Sequence, residues 1–480
     1  MRGGVILLIA KQFGTSILKS RAVYLLMGIM NLLLMYAAFS GLEYHDQNHF
    51  RTDHQEMARK SWEENPDKHP HRMAHFGSFA FRLKHPLSVF DFGIESFTGN
   101  AVFLEAHRQN SVNFSEASFS TGLLRFGELS MAMVLQTLLP LLIFFLGYAS
   151  IVADRENGTL RILLSQGASW KEILFGRTLG LSGIALIFVL PFLLCTLLLL
   201  LVEGHIDGDS LSRFGLISLS YLLFTLIVCF ICVGVSASSQ TSRSALVKLL
   251  GLWLLMVVLI PRTTQALGSY IHQTPKNIEF RAAIEEEVIK TGDSHNPDDP
   301  LFNNLRDSVL KAHNVDSVTK LPFNYGGFVM QQSEKVSAQI YNKHQKQLLD
   351  QYRKQNQLRR SLALINPYLA IKNLSMSLTA SDFESYVSFQ NQAERYRYQL
   401  AQRMNELQME YIRAARVSGS EGKVDVVSKE EWKAFPDFQH EFISLDAALQ
   451  NERLSLLSIL LWVLLGVGFI LYLSVNAKAI

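Results

Sequence analysis

The chain has 480 residues, is 49% hydrophobic and 18% charged, and carries a formal net charge of +3. That near-neutral balance gives no argument for a nucleic-acid partner, and the sequence holds no DNA- or RNA-binding motif that would supply one. The charges are segregated from apolar runs of about 20 residues, the length that crosses roughly 30 Å of hydrocarbon, so composition points to a polytopic membrane protein.

Residues 1–21 set Arg2, Lys11, Lys19 and Arg21 around Val5, Ile6, Leu7, Ile9 and Phe13. This predicts a basic amphipathic helix on the cytoplasmic membrane surface, with the basic start of a signal peptide as the competing reading. Apolar runs at 22–42, 130–152, 178–202, 214–236, 245–261 and 454–475 predict six transmembrane helices. The fifth is short, carries Lys248 near its start and ends at Pro261-Arg262. Lys and Arg concentrate in the N-terminus and in the loops at 153–177 and 237–248. The positive-inside rule then puts both termini in the cytoplasm, including the tail at 476–480, and the insertions at 43–129 and 262–453 outside. The expected setting is a bacterial inner membrane, with lipid around the spans.

Within the second insertion, Tyr386, Phe389, Ala393, Tyr396, Leu400, Met404, Leu407 and Tyr411 recur at steps of three and four between 381 and 416, one face of a long helix. A second helical pattern over 332–362 stops at Asn366-Pro367. The two are expected to pair as an antiparallel hairpin connected by 367–380. Residues 418–423 read as flexible and exposed, and 424–427 as a possible strand. The expected fold is an all-α polytopic membrane protein: six transmembrane helices and a mostly helical extracytoplasmic domain built from two insertions.

Between the second and third spans, 153–177 is a polar, amphipathic insert that leaves the membrane and returns to it. Asp154, Arg155 and Glu156 end the second span, Gly158 permits a tight reversal, and Thr159 is expected to cap a helix carrying Leu160, Leu163 and Leu164, with Ser165 behind them. Glu156-x-Gly158-Thr159-Leu160, Leu163-Leu164-Ser165 and Lys171-Glu172-Ile173-Leu174 resemble the cytoplasmic loop of type-2 ABC exporter permeases. In that family the loop is a coupling helix seated in a cleft of the ATP-binding subunit. The resemblance therefore implies ATPase coupling through Asp154, Arg155, Glu156, Gly158, Thr159, Leu160, Leu163, Leu164 and Ser165. It also implies a partner subunit carrying ATP and Mg, a second permease copy or related permease, and outward transport of a substrate. An ordinary interfacial helix is the plainer alternative.

Ala74-His75-Phe76-Gly77, Phe79-Ala80-Phe81, Pro86-Leu87-Ser88, the run from Leu104 to Asn110, Asn366-Pro367 and Asn373-Leu374-Ser375 resemble a narrower branch with outer insertions, related to the permeases of nitrous-oxide-reductase maturation. A periplasmic or outer-membrane partner for residues 262–453 is a further expectation. Neither resemblance identifies the cargo.

The chain has no G-x-x-x-x-G-K-[ST] phosphate loop, so it is not expected to be an enzyme and its energy must come from a separate ATPase. Ionisable groups are essentially absent from the middle of the spans, which argues against a proton-driven carrier. Cys195, Cys229 and Cys232 all lie in apolar runs, which favours structural roles over a disulfide or metal framework. Glu285, Glu286 and Glu287 read as a solvated helix face. Histidine is dense between 45 and 85, and His45, His49, His69, His71 and His75 are the candidates for a zinc or copper site. The segment lacks cysteine and an obvious supporting carboxylate pattern, so the reading adopted is no metal and no cofactor in this chain. Rival functions are an ABC complex that works mechanically on an outer partner without transport through the spans, and a metal-handling accessory protein.

Overall fold

The computed structural model describes residues 2–110, 112, 129–294, 296, 298–412 and 425–476, apart from the side chains of Tyr44 and His45. The 418–423 stretch lies outside the described residues. Helix α1 (Gly3–Leu18) leads into α2 (Arg21–Glu63), whose 43 residues make a rod of about 64 Å, twice the hydrocarbon thickness. Between Leu42 and Asn65 there is neither Gly nor Pro, so the helix of the first span runs on past the end of its apolar stretch. There follow α3 (Pro70–Phe76) and the antiparallel strands β1 (Ser78–Phe81) and β2 (Ala101–Leu104), with Ser78 opposite Leu104.

The remaining spans are α4 (Met131–Glu156), then, after the short helix α5 (Thr159–Ser165), α6 (Trp170–Val202), α7 (Gly208–Ser238) and α8 (Ser242–Ile271). Next come α9 (Asn277–Thr291), α10 (Pro300–Ala312), α11 (Tyr325–Leu362), α12 (Pro367–Leu378), α13 (Phe383–Tyr411), α14 (Glu430–Lys433), α15 (Leu445–Asn451) and the last span, α16 (Arg453–Asn476). Among the described residues six helices are thus long and apolar enough to cross a membrane, and the protein is an all-α polytopic membrane protein with one small described hairpin.

Pro261 does not end the helix of the fifth span. A π-helical turn at Leu254–Leu259 precedes it and the helix continues to Ile271. The π partner of the Met256 carbonyl would be the nitrogen of Pro261, which carries no hydrogen. Asn366 supplies the missing donor, its Nδ2 lying 2.8 Å from Met256 O. Asn366 also caps α12, accepting from the Tyr368 N–H at 3.0 Å.

Helices α11 and α13 pack side by side as expected, and the connection between them is the helix α12. Tyr368, Leu369, Ala370, Ile371 and Leu374 are buried in the same core as the spans, so this connection is driven into the helix bundle. Around α13 the two insertions fold together. Trp62, Met73, Ala74 and Ala106 from the first share a core with Leu400, Met404, Leu407 and Trp432 from the second. A neighbouring core joins Ala80, Val102 and Leu104 to Phe389, Ala393 and Phe438. At 425–427 the structure has a single bridge, Val427 to Lys68, in place of a strand. We call the combined insertions the head. Arg213 of α7 fastens it to the spans: fully buried, it donates to the carbonyls of Leu378 and Ile443 and pairs with Asp209.

Candidate functional site: the face formed by residues 153–177

Helix α4 loses its regular ladder at residues 148–151, just before the loop. The Ser236 hydroxyl of α7 accepts from the freed N–H groups of Ile151 (3.1 Å) and Val152 (3.2 Å). One turn later Arg155 donates to Ala237 O at 2.8 Å and to Ser239 O, neutralising carbonyls at the C-terminal end of α7. Glu156 accepts from the Ser242 backbone N–H at 3.0 Å and from its hydroxyl, at the N-terminal end of α8 where an anion is favoured. A single turn of chain therefore ties together the ends of three spans.

Asp154 pairs with Arg177 of α6, closing the base of the loop, and the Arg177 guanidinium sits 4.7 Å from the ring centre of Phe13 on α1. Arg2 reaches across to Glu172 at 2.8 to 3.0 Å and to the Gly167 carbonyl. Ser169 and Glu172 form a reciprocal capping box that starts α6.

The cap expected from Thr159 is not made. Gly158 is the N-cap, at φ +77°, and Thr159 is the first residue of α5 with no side-chain cap. The reversal needs a left-handed residue immediately before the helix, which favours glycine and displaces the capping position by one. In α5, Leu160 is fully buried while Leu163 and Leu164 pack half-buried against the membrane core. Thr159, Arg161, Ile162, Ser165 and Gln166 form the exposed side, Ile162 with 56% of its surface free. Of the residues named from sequence, Asp154, Arg155, Glu156, Gly158 and Leu160 build the frame, Leu163 and Leu164 line its inner side, and Thr159 and Ser165 lie on the rim. Sequence reasoning missed Ser236, Ser239 and Ser242. The signal was present in the Ser- and Thr-rich run from 236 to 244, whose small hydroxyl side chains fall at helix ends.

The histidines divide. His71 and His75 lie one turn apart on α3, and His107, just after β2, joins them: ring centroids are 4.6 Å apart for His71–His75, 5.7 Å for His71–His107 and 5.4 Å for His75–His107. His69 instead caps α3, its Nδ1 accepting from the His71 N–H at 3.2 Å. His49 lies on α2 outside this group, and the His45 side chain lies outside the described residues. Cys229 and Cys232 are buried free thiols. Glu286 faces solvent and pairs with Lys290 one turn on, whereas Glu287 does more: it bonds Lys343 (2.7 Å) and His344 (2.8 Å), fastening α9 to α11.

Residues 277–441 match a family described as a domain of unknown function, DUF3526. The chain is 31% identical over 140 residues to the probable ABC transporter permease protein NosY of Stutzerimonas stutzeri, covering 29% of this chain and 51% of that protein. It is also 31% identical over 124 residues to the probable ABC transporter permease protein NosY of Pseudomonas aeruginosa, covering 25% of this chain and 45% of the relative. Over these stretches the chain is similar to ABC transporter permeases. This agrees with the resemblance carried by the 153–177 loop and by the insertions. The chain spans about half the length of the relatives it matches.

Proposed function

We propose that the protein is the membrane-spanning permease subunit of an ABC transporter, docking a separate ATP-binding subunit through α5 and moving a substrate outward across a bacterial inner membrane. The observation that carries this reading is the construction of the 153–177 face. A short amphipathic helix presents Arg161, Ile162, Ser165 and Gln166 outward, while Arg155 and Glu156 behind it clamp the ends of α7 and α8. A push on α5 is delivered to three spans at once, as rigid-body rocking requires. ATP and Mg belong to the partner subunit, a second permease copy or relative completes the complex, and both termini lie on the cytoplasmic side with α5.

The test is ATPase activity of the purified complex. Glu156→Lys puts a cation against the N-terminus of α8, and Gly158→Pro cannot adopt φ +77°. Both variants are expected to insert at normal levels and to lose permease-dependent ATPase activity. Normal coupling in both would refute the assignment.

A second reading, mechanical work on an outer partner, is favoured by the tie between spans and head. Helix α2 runs unbroken from one to the other, and α12 is buried in the span core. On that reading the stroke reaches residues 262–453 and no solute passes. Substrate flux into sealed vesicles separates the two.

A further inference from the structure

We propose that His71, His75 and His107 form a metal site on the head that takes one divalent ion of the zinc and copper(II) class. His71 and His75 are four residues apart on α3, which sets both rings on one face of the helix. His107 comes to the same point from the turn after β2, where its backbone holds φ +62°, a region that non-glycine residues seldom occupy. The ligand nitrogens of all three lie within 4.8 Å of one another. Metal–nitrogen bonds of about 2.0 Å in a tetrahedral site place such nitrogens about 3.3 Å apart, so ring movements of about 1 Å close the set.

Glu334 supplies the supporting carboxylate that the local sequence does not display. Its Oε2 accepts the His107 backbone N–H at 3.0 Å and lies 3.4 Å from His107 Nδ1. That directs Nδ1 to the carboxylate and leaves Nε2 for the ion, the arrangement by which carboxylates orient metal-ligating imidazoles. Glu334 is held in turn by Arg397 at 2.7 Å. Imidazole ligands favour borderline ions over magnesium or calcium, and three protein ligands leave a fourth position open on the side of exposed His75. Because Glu334 belongs to the second insertion and the histidines to the first, the ion sits at the seam between them. The site does not depend on the transporter reading.

The test uses the full chain, purified in detergent without a polyhistidine tag, stripped with chelator and titrated calorimetrically with zinc, copper(II) or magnesium sulfate. The expected result is one equivalent of zinc or copper and no magnesium. Affinity should fall at least about tenfold in each of His71→Gln, His75→Gln and His107→Gln and be unchanged in His49→Gln. Preference for either ion supports the site and names its occupant. His75 is exposed, so His75→Gln is expected to fold normally, which circular dichroism checks. Absence of stoichiometric uptake by the wild type, or uptake undiminished in a folded His75→Gln, would overturn the proposal.

Discussion

Helix α1 is held against α6 by a close approach that a single methyl group should disrupt. A Cβ built at Gly180 falls 2.7 Å from the carbonyl oxygen of Ala10, where ordinary contact begins at 3.4 Å, so Gly180→Ala requires α1 to retreat by 3.4 − 2.7 = 0.7 Å. The obstruction is backbone and has no rotamer to escape into. A gap of this size forfeits about a quarter to a half of the dispersion attraction across it, and Ile9, Phe13 and Ile17 of α1 bury their side chains along the helix. Beside lipid, close packing rather than water exclusion holds helices together, so the expected cost is that of overpacking, about 1–3 kcal/mol, or about 5- to 150-fold in the ratio of docked to undocked α1. Gly183→Ala, on the same helix with nothing within 4 Å of the added atom, is the matched control. Hydrogen exchange of α1 amides in detergent should accelerate in Gly180→Ala and not in Gly183→Ala. Equal protection in the two variants would show that the seam is looser than described.

Three further outcomes follow from buried charges. Arg213→Ala should loosen the head from the spans at a cost of about 1–3 kcal/mol, because the buried carbonyl of Leu378 and the half-buried carbonyl of Ile443 lose their donor; unchanged hydrogen exchange in α12 would contradict this. Arg397→Met leaves Glu334 and Glu394 without their cation and should destabilise the head by about 3–5 kcal/mol in thermal unfolding, an effect absent if the network is dispensable. Acid should weaken the head through His440 and His85. Burial, aided by Arg82 and Arg51, holds His440 down at about 3, and burial, aided by Arg213, holds His85 at about 4. The unfolded chain binds these protons more readily, so stability is intact above about pH 6.5 and falls as pH drops toward the folded values. Each histidine is worth about 2 kcal/mol at pH 5. His440→Asn keeps an acceptor for the Leu83 N–H but cannot titrate, and should flatten part of that slope; an unaltered slope would exclude His440 as a contributor.

The spans were legible because hydrocarbon thickness imposes a length and an apolar composition, and Gly158 because a reversal before a helix calls for left-handed backbone. Other features depend on partners distant in sequence. Nothing local to Pro261 announces that Asn366 will replace its missing hydrogen. The apolar pattern of the first span ends near residue 42, yet a helix persists wherever no residue breaks it, and α2 reaches Glu63. The short strands SFAF and AVFL gave too brief an alternation to be read, and with the hairpin went the placement of His107 beside α3. Residues 367–380 read as a connection because they join two conspicuous helices, whereas their burial is set by α7, α8 and α16. At the 153–177 face, sequence marked the charged residues but not the serines they bond, since those pairs form only when α4, α7 and α8 meet.

The most direct test is purification of the tagged protein from its native membrane in mild detergent, with the stoichiometry of associated chains determined. The account predicts one ATP-binding subunit per permease chain, lost when Ile162 and Arg161 on the exposed side of α5 are replaced by Asp. Repeated recovery of the chain without an ATP-binding subunit, under conditions that preserve such complexes, would contradict it.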